Sequence, residues 1–204
     1  MSKTKVCRDL NKLHPYCKQQ ALLVVKEAKA EGLNVDIFET VRTLERQKWL
    51  KANGKSKTLN SYHRLGLAVD FVFKTKKGNW TWRVADAKWK KLAEIIEKHG
   101  FYSLGKRKGW DYPHGQINLR GLPATKLIKE LSKRDNDLKA FWASVVTPAL
   151  QEKGLWSGKQ ELSAELVRVV EENKTKKVAK VKPKTTEKKN NPWWVQIFEF
   201  FGGK

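Results

Sequence analysis

Cysteine, histidine and acid are all scarce in this chain. Cys7 and Cys17 are the only cysteines among 204 residues, too few for a disulfide framework or a cysteine-based zinc site. No apolar run approaches the roughly 20 residues that a membrane-spanning helix needs, so a soluble protein is expected. No apolar stretch of the signal-peptide kind follows Met1, which implies residence in a reducing cytoplasm. Acidic residues number 21 against 43 Lys and Arg, leaving a net charge of +22. That excess calls for a polyanion, and nucleic acid, anionic lipid and cell-wall polymer all qualify. No zinc knuckle, helix-turn-helix spacing or RNP-like aromatic motif is present, so no specific nucleic-acid partner is expected. Against these absences stand nine Trp and eight Phe, enough for the core of one domain of ordinary size with an appendage.

Only four histidines occur, and two of them lie in stretches that also carry aspartate. These are Ser61-Tyr62-His63-Arg64-Leu65-Gly66-Leu67-Ala68-Val69-Asp70 and Trp110-Asp111-Tyr112-Pro113-His114. A hydrolytic zinc takes about three protein ligands from His and Asp/Glu and keeps a further position open. His63, Asp70 and His114 supply such a set. A separate carboxylate must take a proton from the attacking water and return it to the leaving amine, and Asp111 is the candidate. Leu67, Val69, Phe71 and Phe73 alternate with Ala68, Asp70 and Val72, the period of a strand with one buried face, so Asp70 points away from the apolar row. Gly66 and Ala68 leave room beside it for a metal, a ligand or a close backbone. Pro113 makes the second stretch a rigid corner able to aim Asp111 and His114 at one point. Taken singly, each of these residues has an ordinary structural reading as well.

The spacing resembles the zinc D-Ala-D-Ala carboxypeptidase and L-Ala-D-Glu endopeptidase family. Its motif Ser-x-His-x-x-Gly-x-Ala-x-Asp is matched at Ser61, His63, Gly66, Ala68 and Asp70, and its Trp-Asp-x-Pro-His-Phe-Gln at Trp110, Asp111, Pro113, His114 and Gln116. Gly115 replaces the usual Phe, which would loosen the surroundings of His114 or widen the cleft. The segment Glu39-Thr40-Val41-Arg42-Thr43-Leu44-Glu45-Arg46-Gln47 resembles the one whose arginine polarises the scissile carbonyl, which makes Arg42 the oxyanion stabiliser. Read without the family, Arg42 is equally a solvated surface charge. Gln47 and Ser61 fall at substrate-contacting positions, or else cap a helix or turn.

The resemblance implies one Zn2+ per chain and the α+β Hedgehog/D-Ala-D-Ala-peptidase fold, a small antiparallel sheet flanked by helices. It also implies the peptidoglycan stem peptide as substrate, with cleavage of L-Ala from D-Glu favoured over D-Ala-D-Ala trimming. A basic hydrolase of this size looks like a phage endolysin, a monomer held in the host cytoplasm until release to the wall. A wall- or membrane-binding protein that lyses cells without catalysis is the reading from another class.

Locally, residues 10–32 read as a helix ending near Gly32, 35–38 as a strand, 43–52 as a helix and 53–60 as a loop. Lys74 to Trp82 reads as a turn before a helix that His99 caps, and His14 belongs to a packing segment without metal. The peptidase domain is expected over 1–131 and a helical extension over 132–173, with patches at 137–151 and 160–172 interrupted by Pro148 and Gly154. Residues 174–191 form a basic linker, eight Lys against one Glu from Lys174 to Lys189, with the composition of a disordered segment. Residues 192–204 form an aromatic tail around Trp193 and Trp194. With Lys174 to Lys204 taken together, the tail suits an anionic membrane or envelope, the protein's own surface, or a partner.

Overall fold

A row of three side chains across an antiparallel sheet organises the molecule. The computed structural model describes residues 4–119 and 121–157; the expected second helical patch, basic linker and aromatic tail lie outside them. The sheet order is β1 (Val35–Glu39), β2 (Ala68–Lys74), β5 (His114–Gln116), β4 (Tyr102–Ser103), with β3 (Trp80–Thr81) paired to the far end of β2. All pairings are antiparallel. Their register sets Glu39 opposite Asp70 and Asp70 opposite His114. Successive strand residues point to opposite faces, so Val35, Ile37, Val69, Phe71 and Phe73 enter the core while Asp70 stays on the other face.

Helices α1 (Pro15–Ala30) and α3 (Asp86–Lys98) belong to the core layer, contributing Val24, Val25, Leu92 and Ile96 to the same cluster. The expected helix at 10–32 is divided: a short 3-10 turn (Leu10–Lys12) precedes α1. Pro15 begins the helix because it has no N–H to offer an earlier carbonyl, and His14 Nδ1 accepts from Tyr16 N at 3.2 Å as the cap. Thr43 caps α2 (Leu44–Ala52). His99 is the C-cap residue of α3, and its Nε2 lies 2.8 Å from Glu27 Oε2 on α1. The Lys74–Trp82 stretch holds a two-residue strand, β3, that sequence pattern cannot reveal.

Beyond the short α4 (Leu104–Lys108) and α5 (Ala124–Ser132), the chain forms α6 (Leu138–Phe141), a π-helical turn (Trp142–Val146) and α7 (Thr147–Glu152). Pro148 does not interrupt this rod as expected. The widened π turn just before it absorbs the missing N–H and the bulk of the ring. Phe141, Val146 and Leu150 are fully buried in the common core, and Trp142 Nε1 donates to Leu65 O at 2.8 Å. Gly66 shows why that loop is tight. It caps a 3-10 turn (Tyr62–Leu65) at φ +66, and a Cβ there would lie 2.6 Å from Trp142 Cζ2. The room left at Gly66 therefore serves a close side chain and backbone rather than a ligand. No helix among the described residues is long and apolar enough to cross a membrane.

Candidate metal centre

His63, Asp70 and His114 converge, with one ligand atom from each within 4.8 Å of the others. His63 arrives from the 3-10 turn, Asp70 from β2 and His114 from β5. His63 Nε2 is 3.1 Å from Asp70 Oδ1 and 3.2 Å from His114 Nδ1, and His114 Nδ1 is 2.9 Å from Asp70 Oδ1.

The outer hydrogen bonds assign the tautomers. His63 Nδ1 lies 2.6 Å from the carbonyl of Thr40, which can only accept, so Nδ1 carries the proton. Gln116 donates its amide to Asn118 Oδ1 at 2.7 Å and turns its own oxygen to His114 Nε2 at 3.1 Å, so that nitrogen donates. Two nitrogen lone pairs and a carboxylate oxygen are thus left facing each other. Such a set is repulsive until a cation sits among it, and histidine ligands held by carbonyl acceptors on the far nitrogen are the usual support of a metal site. The residues therefore fit a divalent ion.

The electrostatics agree. Burial holds the His63 pKa down, with Arg42 adding to the effect, so the ring stays neutral and able to ligate. For His114, burial opposes protonation, but the hydrogen bond to Asp70 and the charge of Asp111 outweigh it and raise the pKa. Burial would raise Asp70 too, yet its interactions with His63 and Arg42, joined by the hydrogen bond to His114, hold it well below the usual carboxylate range. The cluster is charged to attract a cation, whether proton or metal.

Arg42 stands against this set. Its Nη2 donates to Asp70 Oδ2 at 2.5 Å and its Nε to Glu39 Oε2 at 2.8 Å. Glu39 is 1 % exposed, and its second oxygen accepts from Arg46 Nε at 2.9 Å. Arg46 in turn donates to the carbonyl of Thr4 at 3.0 Å. Burial works against the Arg42 charge, but Asp70 and Glu39 more than restore it. Arg42 is therefore no loose surface cation.

Asp111 lies in the turn before β5, with φ +53, and His114 N donates to its carbonyl at 3.1 Å. Pro113 O accepts from Phe71 N at 2.9 Å and ties that turn to β2. Burial, reinforced by Asp70, pushes the Asp111 pKa up, while His114, Arg42 and His63 pull the other way. All four groups are thus close enough to act on it.

Neither Ser61 nor Gln47 makes a hydrogen bond to the side chains of His63, Asp70 or His114. Ser61 Oγ accepts from His63 N at 3.3 Å as the cap of the 3-10 turn. Gln47 is fully buried and donates to Ser56 Oγ at 2.7 Å and Thr58 O at 2.8 Å. Three supporting groups escaped the sequence reading. The Thr40 carbonyl has no side-chain signature, Gln116 stood in a motif without an assigned role, and Glu39 was readable only from its spacing to Arg42 and Arg46. Gly115 neither widens the cleft nor loosens it. It faces the core, where a Cβ would meet Ile96 Cγ2 at 2.9 Å and the Phe101 ring at 3.1 Å, so the space of the missing ring is filled from behind.

Residues 54–117 match a family described as D-alanyl-D-alanine carboxypeptidase. The chain is 36 % identical over 115 residues to the L-alanyl-D-glutamate peptidase of Listeria phage A118, across 55 % of this chain and 41 % of that protein. It is 33 % identical over 119 residues to the peptidoglycan L-alanyl-D-glutamate endopeptidase CwlK of Bacillus subtilis, across 50 % of this chain and 71 % of that protein. The match thus spans less than half the length of the phage relative. Among solved structures, the L-Ala D-Glu endopeptidase ChiX of Serratia marcescens superposes with a TM-score of 0.46 at 23 % identity, over 58 % of this chain and 89 % of that one.

Proposed function

Because the chain belongs to the family of D-alanyl-D-alanine carboxypeptidases and L-alanyl-D-glutamate peptidases, we propose that it is a zinc-dependent peptidoglycan peptidase cutting the stem peptide between L-Ala and D-Glu. The observation that carries this reading is the lone-pair cluster of His63, Asp70 and His114 with a raised-pKa carboxylate, Asp111, beside it. Zinc held by those three residues would supply Lewis-acid polarisation and lower the pKa of water.

The chain's own residues then divide the work. Asp111, its carboxylate made more basic by burial, accepts the proton of the attacking water and delivers it to the departing D-Glu nitrogen. Arg42 keeps its charge at the site and has N–H groups beyond those spent on Glu39 and Asp70; these stabilise the oxyanion of the tetrahedral intermediate. Its bond to Asp70 also fixes that ligand. Thr40 and Gln116 hold the two imidazoles in ligating tautomers. Ser61 and Gln47 serve the substrate indirectly, by starting the His63 turn and by bracing the 53–60 loop.

The names of the A118 and CwlK relatives favour the L-Ala–D-Glu bond. The activity is that of an endolysin, with peptidoglycan as partner, the wall as site of action after residence in the host cytoplasm, and a monomer as the working unit. The tail from Lys174 to Lys204 would add envelope contact.

One synthetic peptide separates the branches. A free stem pentapeptide incubated with zinc-loaded protein should release L-Ala; release of terminal D-Ala instead would reassign the activity to a carboxypeptidase, and release of neither would reject peptidase chemistry.

A further inference from the structure

Among the described residues, Arg8 is a cation without a paired anion. It is half-buried, its Nε is sealed from solvent without a hydrogen-bond partner, and its guanidinium lies over the Trp80 ring at 4.1 Å and the Phe38 ring at 5.4 Å. A guanidinium withdrawn from water ordinarily spends its five donors on carboxylates or carbonyls. The charges of Glu39 and Asp36 reach Arg8, but neither carboxylate pairs with it. Glu39 is taken by Arg42 and Arg46, and Asp36 by Lys74 at 3.2 Å.

The rings beside Arg8 roof one face of the sheet. Strands β1 and β3 both pair with Phe73, so they flank β2 on opposite sides. Phe38 from β1 meets Trp80 of β3 edge-on at 5.7 Å and Trp82 at 5.0 Å, and Trp82 is stacked on Trp89 at 6.1 Å. Val72 beneath them is fully buried. By strand periodicity Asp70, Val72 and Lys74 share that face, so the roof starts beside the metal ligand. It ends opposite Lys74, where Trp80 pairs, roughly 13 Å farther along at about 3.3 Å per residue. Trp80 remains 36 % exposed.

We infer that Arg8, Phe38 and Trp80 form a glycan subsite that takes the N-acetylated sugar from which the stem peptide hangs. A pyranose offers a face of C–H bonds to an aromatic ring and an edge of hydroxyl, acetamido and ether oxygens to guanidinium donors, the mixed chemistry this ledge presents. The inference deepens the proposed peptidase activity and rests on it for the direction of the substrate. L-Ala joins the sugar through a lactyl group, so the ring lies two short units from the L-Ala carbonyl, about 7–10 Å at about 3.5 Å per unit. That distance falls within the ledge. The D-Ala–D-Ala bond is three residues farther from the sugar, which would carry the ring past Trp80. The ledge thus selects the bond next to the glycan.

The test uses the full zinc-loaded chain with Trp80→Ala and Arg8→Gln, the latter changing a side chain whose Nε has no hydrogen-bond partner among the described residues. Peptide-free glycan strands, which carry little charge, are titrated by tryptophan fluorescence. Kinetics are run on disaccharide-linked stem peptide and on free stem peptide. The wild type should bind the strands, and each variant should bind them about tenfold more weakly. KM should rise about tenfold on the sugar-linked substrate and stay unchanged on the free peptide. Equal losses on both substrates, or unaltered glycan binding in Arg8→Gln with its melting temperature retained, would overturn the subsite. If the wild type cuts neither substrate, the peptidase reading fails, and the glycan titration still decides the ledge.

Discussion

Arg42 and Asp70 are joined by a 2.5 Å ion pair in which the guanidinium holds the carboxylate oxygen that does not face the histidines. Asp70 thereby presents Oδ1 to His63 and His114 in a fixed orientation, while Arg42 is itself braced by the buried Glu39. A lysine keeps the charge but is a point donor and cannot span two carboxylates. Arg42→Lys is therefore expected to lower kcat about a hundredfold and zinc affinity about tenfold. Stopped-flow kinetics and chelator competition measure the two losses; unchanged zinc affinity would mean that the ion pair does not orient Asp70.

Asp111 is outside the converging trio, so its loss should spare the metal. Asp111→Asn is expected to bind one zinc per chain as the parent does and to lose roughly 10²–10⁴ in kcat. Metal analysis of the purified variant alongside peptide hydrolysis checks both halves.

His14 links α1 to the C-terminal rod. It is 1 % exposed, its Nε2 is 3.3 Å from Thr147 Oγ1, and its ring meets Trp142 and Trp156 edge-on. Burial pushes its pKa down from 6.5 to about 4. A base whose folded pKa is depressed binds fewer protons than the unfolded chain between those values. Its stabilisation is complete above about pH 6.5 and is lost as pH falls toward 4, up to roughly 3 kcal/mol. Comparing urea unfolding at pH 7 and pH 4.5, the acid-induced loss should shrink in His14→Asn, which preserves a capping oxygen.

At Gly115, restoring the aromatic of the family motif should do harm. Ile96 and Phe101 already occupy the volume, and overpacking a filled core costs about 1–3 kcal/mol. Gly115→Phe is expected to lower the urea midpoint with an unchanged m-value, whereas a neutral or stabilising outcome would mean that Phe101 yields its place.

The ligand set was legible because His63, Gly66, Ala68 and Asp70 lie within one turn and one strand, where spacing fixes direction. The convergence of His114 on Asp70 comes from the β2–β5 register, a pairing between residues distant in sequence that no local pattern encodes. Strands of two residues, such as β3 and β4, leave no period to detect. Pro148 misled because a breaker in sequence becomes tolerable when a π turn precedes it. Arg42 was identified, but its double engagement with Glu39 and Asp70 depends on that same cross-strand register, and nothing in the pattern distinguished Arg8 from the other basic residues.

The most direct test of the central proposal is end-group mass spectrometry of purified walls digested by the zinc-loaded protein, beside an EDTA-treated sample and Asp111→Asn. New L-Ala carboxyl ends and D-Glu amino ends, confined to the zinc-loaded parent, are expected. Walls of several chemotypes left with no new ends, or the same ends produced in the presence of EDTA, would contradict a metal-dependent peptidase built on His63, Asp70 and His114.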